Sequence, residues 1–159
     1  MNAQRVIFHE IGFEVKDERL PEAVVYSLAR TYSLLAAELT AVYQRFGLRA
    51  ASFNLLMLLK HGQDPDSFTQ QAIGQRLVVS PSDMTGLIDR LEQKGLARRI
   101  HGKDRRSKLL RITPKGATLL DEVWPHHVAA VERLTNTLGA DEARRLVRTL
   151  ARLREPGLG

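Results

Sequence analysis

Only two residues, Val78 and Val79, separate one short amphipathic segment from the strongest helix start in the chain. That start is Ser80-Pro81-Ser82-Asp83. A serine at the N-cap accepts a bond from a free helix N–H. A proline at the first helical position gives up no bond it would otherwise make, and an acid at the third position completes a capping box. Behind this cap, Met84, Leu87, Ile88 and Leu91 fall at i, i+3, i+4 and i+7 as one buried stripe, until Gly95 stops the helix. In front of it, Thr69 caps a short helix through Leu77 with Ala72, Ile73 and Leu77 inward. Two helices joined this tightly predict a helix-turn-helix corner. The face left exposed on the second helix carries Ser82, Gly86, Asp89 and Gln93, flanked by Thr85 and Arg90.

The charge sits immediately behind that corner. Leu96–Ile100 and Lys108–Thr113 alternate apolar with basic residues, and His101-Gly102-Lys103-Asp104-Arg105-Arg106-Ser107 lies between them. This pattern predicts a β-hairpin with a long charged tip. The chain of 159 residues has a net charge of +6, yet Arg90–Gly116 alone holds ten bases against two acids, and the remainder nets −2. A basic segment on a near-neutral body points to a polyanion partner, although a solvated strand and turn would give the same count. Each part suits DNA. A helix face with short side chains fits the major groove, roughly 12 Å wide. Its N-terminus offers N–H groups to a phosphate. The hairpin tip would place Arg105 or Arg106 in a neighbouring minor groove. Gly86 costs a helix interior about 1 kcal/mol against Ala. It reads either as drift or as close approach to a base edge or phosphate.

The remaining chain reads as helices around this unit. From Pro21 to Phe46, Val25, Leu28, Tyr32, Leu35, Leu39, Val42 and Phe46 repeat every 3.5 residues, and Gly47 ends the run. That seam suits an ordinary core helix as well as a contact between subunits. Ala51–Lys60 is apolar nearly all round, as a buried helix is. Thr113-Pro114 caps a further helix lined by Ala117, Leu120, Trp124, Val128, Val131, Leu134 and Leu138, with a kink at Pro125. Gly139 breaks the chain, and Asp141 caps a last helix with Ala143, Leu146, Leu150 and Leu153 as its stripe. Residues 1–20 hint at alternation and read as an arm that packs on something.

Several classes of function lose support. Without cysteine there is no disulfide framework, no thiolate zinc site and no thiol redox chemistry. The longest apolar run, Leu55–Leu59, is far short of the roughly 20 residues a membrane helix needs, and the N-terminus is no secretory signal. The expected location is cytoplasmic, in association with the nucleoid. His126-His127 is the best metal candidate, but adjacent histidines diverge on a helix, whereas a shared metal favours i, i+4 spacing. A surface or interface role is expected for them. No Ser/His/Asp arrangement, Gly-rich phosphate loop or paired-carboxylate pattern appears, so an enzyme is not expected and no cofactor is called for.

From about Pro21 to the C-terminus the chain resembles the MarR family of multiple-antibiotic-resistance-type regulators. The resemblance is carried by Ser80–Arg99 (SPSDMTGLIDRLEQKGLARR) and Asp104–Gly116 (DRRSKLLRITPKG). Asp104, Arg106, Ile112, Thr113 and Gly116 match the family's hairpin in type and spacing. The resemblance implies a mainly α fold with a small β-hairpin wing. Residues 50–116 would form the winged helix-turn-helix, residues 21–49 and 117–159 the dimerisation helices, and residues 1–20 the arm. It also implies that Ser80, Ser82, Met84, Thr85 and Arg90 lie on or beside the DNA face, although the periodicity buries Met84. Arg106 would be the wing-tip arginine, with Asp104 holding the tip by an ion pair.

The expected DNA-binding set is therefore Ser80, Ser82, Thr85, Gly86, Arg90, Lys103, Asp104, Arg105, Arg106 and Lys108. The expected function is a homodimeric, ligand-responsive repressor on a pseudo-palindromic operator in double-stranded DNA. The alternative is a DNA-coating or architectural protein of low sequence preference. Family members commonly bind a small aromatic or anionic effector between their two lobes. Tyr32, Phe53, Met57 and Arg111 are candidate liners here, but they read equally as core or surface residues, so none is assigned. Without cysteine, the oxidation switch of some family members is closed to this chain.

Overall fold

The apolar stripes of the central helices meet in one core in the computed structural model, which describes residues 3–13, 19–64, 67–77, 80–102 and 108–155. Along the chain these are α1 (Ala3–Glu10), α2 (Leu20–Gln44), α3 (Ala50–His61), α4 (Gln70–Leu77), α5 (Pro81–Gln93), β1 (Ala97–His101), β2 (Lys108–Ile112), α6 (Pro114–Thr135) and α7 (Ala140–Arg154). The fold is a winged helix-turn-helix flanked by long helices. Phe53, Leu55 and Leu56 of α3 fill the centre of the core. Ile73 of α4, the Met84–Leu91 stripe of α5, and Leu120 and Val123 of α6 close around them.

Local chemistry sets the element ends. Gly47 and Gly95 take the left-handed conformation, at φ 67° each, which suits glycine and stops α2 and α5. The Thr113 hydroxyl accepts the Gly116 N–H at 3.0 Å and caps α6. The strands β1 and β2 pair antiparallel, with Ala97 opposite Ile112 and His101 opposite Lys108. A two-stranded hairpin is marginal alone. Here β2 is tied to the buried Phe68, whose carbonyl accepts the Leu110 N–H at 2.9 Å, and Thr69 bridges to Leu109.

Three expectations are corrected. Residues Ala3–Glu10 form a helix, not an alternating segment: Ile7 and Phe8 are buried against Ala23 of α2, with Ile11 beside them. The edges of Phe8 and Phe13 meet Tyr26 at 5.9 and 5.7 Å. The buried stripe of α6 is Gly116, Leu120, Val123 and Ala130, so Trp124 falls outside it and is 43% exposed. Gly139, not Asp141, is the N-cap of α7; Asp141 sits in the first turn and pairs with Arg144 at 2.6 Å. The helix α6 runs on through Pro125.

His127 is the polar member of the α6 inner face. Its Nδ1 lies 3.0 Å from the Tyr43 hydroxyl, and its ring sits over Phe53 with centroids 4.9 Å apart. Burial pushes the His127 pKa down and the Tyr43 pKa up, so both stay neutral at the α2–α3–α6 contact. His126 packs against Phe46.

Gly116 packs tightly against the turn that follows α5. A Cβ there would sit 2.1 Å from the Leu96 carbonyl oxygen and 3.0 Å from Ile112. Gly116→Ala should therefore destabilise by roughly 1–3 kcal/mol, although alanine is the better helix former. Thermal melting should show a Tm drop of about 3–10 °C; an unchanged Tm would mean that the contact relaxes freely.

Candidate nucleic-acid interface

The corner is built from its caps outward. The Ser80 hydroxyl accepts the Asp83 N–H at 3.2 Å and donates to the Asp83 carboxylate at 2.5 Å. The Ser82 hydroxyl lies 3.1 Å from that of Ser80. Met84, Leu87, Ile88 and Leu91 are all buried, so the side chain of Met84 belongs to the core. The opposite face is short-chained. Ser82, Thr85 and Arg90 are exposed and Gly86 half-buried. Thr69 caps α4 by accepting the Ala72 N–H at 3.2 Å. The first side chain of α4, Gln70, donates to the Thr85 hydroxyl at 2.7 Å and so links the two helices at the exposed surface.

Gly86 has a local reason. Arg90 Nη1 lies 3.3 Å from the position a Cβ on Gly86 would take. The arginine head rests on the bare backbone one turn back, and Gly86 keeps that place open. Lys108, at the start of β2, is exposed. Ser80, Ser82, Thr85, Gly86 and Arg90 thus share the outer side of α5. Lys103, Asp104, Arg105 and Arg106 lie outside the described residues.

The basic segment is less uniform than its count. Arg99 on β1 forks onto two acids of α5: Nη2 bonds Asp89 at 2.8 Å and Nη1 pairs with Glu92. Its backbone N–H also donates to Glu92, at 2.7 Å. Burial opposes the charge of Arg99, but bonds and attraction from Asp89 and Glu92 outweigh it and hold the pKa above its ordinary value. Lys94 donates to the Gly47 carbonyl at 2.6 Å, and Lys115 donates to the Lys94 carbonyl at 2.8 Å. These three bases fasten α5 to the hairpin, to the end of α2 and to the start of α6. Arg98 and Arg90 point to solvent. Sequence reasoning missed Gln70 and the structural use of Arg99, Lys94 and Lys115. Only the acids at 89 and 92, one turn apart and close to an arginine-rich strand, hinted at the Arg99 fork.

Comparison with known proteins agrees with this geometry. The model of the MarR family matches residues 46–107. The chain is similar to the HTH-type transcriptional regulator MhqR of Bacillus subtilis (strain 168), 30% identical over 127 residues, which span 79% of this chain and 86% of the relative. Among solved structures it is similar to a transcriptional repressor, CouR, bound to a 23-mer DNA duplex. That match has a TM-score of 0.75 and 30% identity over 88% of this chain and 98% of the other. CouR from Rhodococcus jostii RHA1 bound to p-coumaroyl-CoA matches with a TM-score of 0.75 and 25% identity, over 89% and 98% of the two chains. These relatives are transcriptional regulators, not enzymes.

The Gly86 notch separates stability from recognition. Gly86→Ala should raise the Tm by about 2–4 °C, from roughly 1 kcal/mol of helix propensity. It should also displace the Arg90 head and weaken DNA binding about fivefold, the loss of roughly one hydrogen bond. Melting and a DNA titration check both; DNA affinity that stays level while the Tm rises would remove Arg90 from the interface.

Proposed function

The chain belongs to the MarR family of helix-turn-helix transcriptional regulators, and from that premise we propose that it is a ligand-responsive repressor. It binds a pseudo-palindromic operator as a homodimer. The observation that carries this reading is the capped helix α5. Its inner stripe is buried, its outer side is short-chained, and a basic hairpin stands beside it. In this reading α5 enters the major groove and the hairpin reaches the neighbouring minor groove. Ser80, Ser82, Thr85, Gly86 and Arg90 face the major groove or its phosphates. Lys103, Arg105, Arg106 and Lys108 serve the wing, and Asp104 shapes its tip.

The partner subunit is inferred from apolar surface. The helix α7 buries no residue, and Leu146, Val147 and Leu153 are exposed, Val147 by 64%. Val24, Val25 and Tyr32 of α2 are exposed as well. A groove of about 510 Å³ lined by Leu20, Val24, Leu28, Leu146, Leu150 and Leu153 joins the two helices. A second copy covers this surface in the dimer. Sedimentation at micromolar concentration should give twice the chain mass, and Val147→Glu should shift it toward the monomer. A wild-type monomer there would reject the homodimer.

The effector is small and aromatic or anionic. A pocket of about 360 Å³ between α3 and α6, lined by Met57, His61, Leu120, Asp121 and Trp124, supports the aromatic part of this class. It has the apolar and aromatic wall and few polar groups of a ligand site. Its occupation would change the spacing of the two recognition helices and release the DNA.

A footprint on the DNA upstream of the chain's own gene tests the operator. A discrete two-fold protected site, with half-sites about one helical turn apart, is expected. Uniform protection would favour a DNA-coating protein instead. On the protected duplex, Arg106→Ala should bind more weakly, with a salt slope smaller by about one unit. An unchanged slope would remove Arg106 from the phosphate contacts. Repeating the footprint with each compound that raises the Tm tests the effector, which must release the site.

A further inference from the structure

We propose that Arg99 sets the angle between the recognition helix and the wing, and is a positioning residue for DNA binding that acts through Asp89 and Glu92. This rests on the DNA-binding reading above. A hairpin with five residues in each strand cannot hold its own direction. One edge is fixed by the Phe68 carbonyl and the bridge from Thr69. The other edge, β1, faces α5, and there one residue supplies all three polar ties described between the two elements. The Arg99 N–H donates to Glu92 Oε1, Nη1 pairs with Glu92 Oε2, and Nη2 bonds Asp89 Oδ1.

The chemistry of the fork makes this an angular restraint. A guanidinium is planar, with donors in fixed directions. Two carboxylates three residues apart on α5 lie on one side of that helix, so gripping both fixes a direction as well as a distance. Distance alone would leave the hairpin free to swing. A strand of five residues is roughly 16 Å long, so a swing of about 10° at its base moves its tip by roughly 3 Å. That is the difference between a hydrogen bond to DNA and none. The same grip offsets one of the two negative charges that Asp89 and Glu92 place on the helix that approaches phosphates. The Arg99 side chain is 29% exposed, Glu92 30% and Asp89 48%, so the pair with Glu92 is the better shielded. A lysine at this position would keep the charge but present no planar fork.

The competing view makes Arg99 one more base in a polyanion-binding segment. The two views predict opposite results for the ratio of affinities on the footprinted operator and on a random duplex of equal length. Asp89→Asn with Glu92→Gln removes two negative charges and frees Arg99. If Arg99 positions the wing, random-duplex affinity rises while the operator-to-random ratio falls at least tenfold. If Arg99 is simply a base, both affinities rise together and the ratio holds, which would overturn the proposal. Arg99→Lys should lower the ratio similarly, with random-duplex affinity within about twofold of wild type; an unchanged ratio overturns it as well. The milder Asp89→Asn, checked for folding by circular dichroism, covers the case in which the double variant does not fold.

A DNA-free measurement keeps the test independent of the operator. In the free protein, hydrogen exchange at the Arg99 and Leu110 amides should speed up at least tenfold in Arg99→Lys, while the amides of α3 do not change. If the wild type shows no preference for any duplex, the operator reading fails, and this exchange result alone decides the restraint. Unchanged protection at both amides overturns it.

Discussion

The Leu96 backbone is the point on which the arrangement of α5, the hairpin and α6 depends. Its N–H donates to the Leu91 carbonyl at 2.8 Å as α5 ends, and its carbonyl accepts the Thr113 N–H at 3.1 Å as the hairpin closes. The first turn of α6 lies against that carbonyl, which is possible only because Gly116 carries no Cβ. Three elements are thereby fixed at one residue. The Thr113 hydroxyl serves the same junction twice, donating to the Gly95 carbonyl at 2.7 Å and accepting the Gly116 N–H. The recognition helix and the hairpin leave this point as two arms, and the Arg99 fork ties them to each other farther out.

The distribution of charge has to be read with this frame in mind. A count of ten bases between Arg90 and Gly116 describes a strongly cationic segment. The structure divides it by task. Arg99 faces two acids, and Lys94 and Lys115 each complete a backbone carbonyl. Arg90, Arg98 and Lys108 are exposed. Lys94 and Lys115 are exposed and keep their charge while bonded to neutral carbonyls, whereas the charge of Arg99 is offset by its acids, so part of the positive charge holds the scaffold that aims the rest.

What could be read in advance follows the range of the interaction. The caps at Ser80 and Thr113 are local, built within three residues, and both stand where the sequence places them. The α5 stripe is local too, because 3.6-residue periodicity decides which side is buried. The hairpin and the mainly helical fold follow from the same patterns. Errors arose where the deciding partner is distant or polar. His127 occupies an inner position of α6 because Tyr43, 84 residues away, shares a hydrogen bond with it. Periodicity in apolar residues alone passes over it and draws Trp124 into the stripe. The helix α1 is held by Ala23 and Tyr26, which lie beyond its own segment. At the interface, the outer side of α5 was legible, but the Gln70–Thr85 bond and the Arg99 fork depend on how separate elements dock.

The uncovered face of α7 has a consequence for the life of the chain. An isolated helix of about fifteen residues is marginal in water, and α7 buries no residue within its own chain. In the proposed dimer its free energy of ordering would come from association, so the order of this helix would follow protein concentration by mass action. Dilution then acts on this helix as a denaturant acts on a core. In that dimer, a cell that makes little of the protein would hold a molecule frayed along α7, and a cell that makes much of it would hold an ordered one.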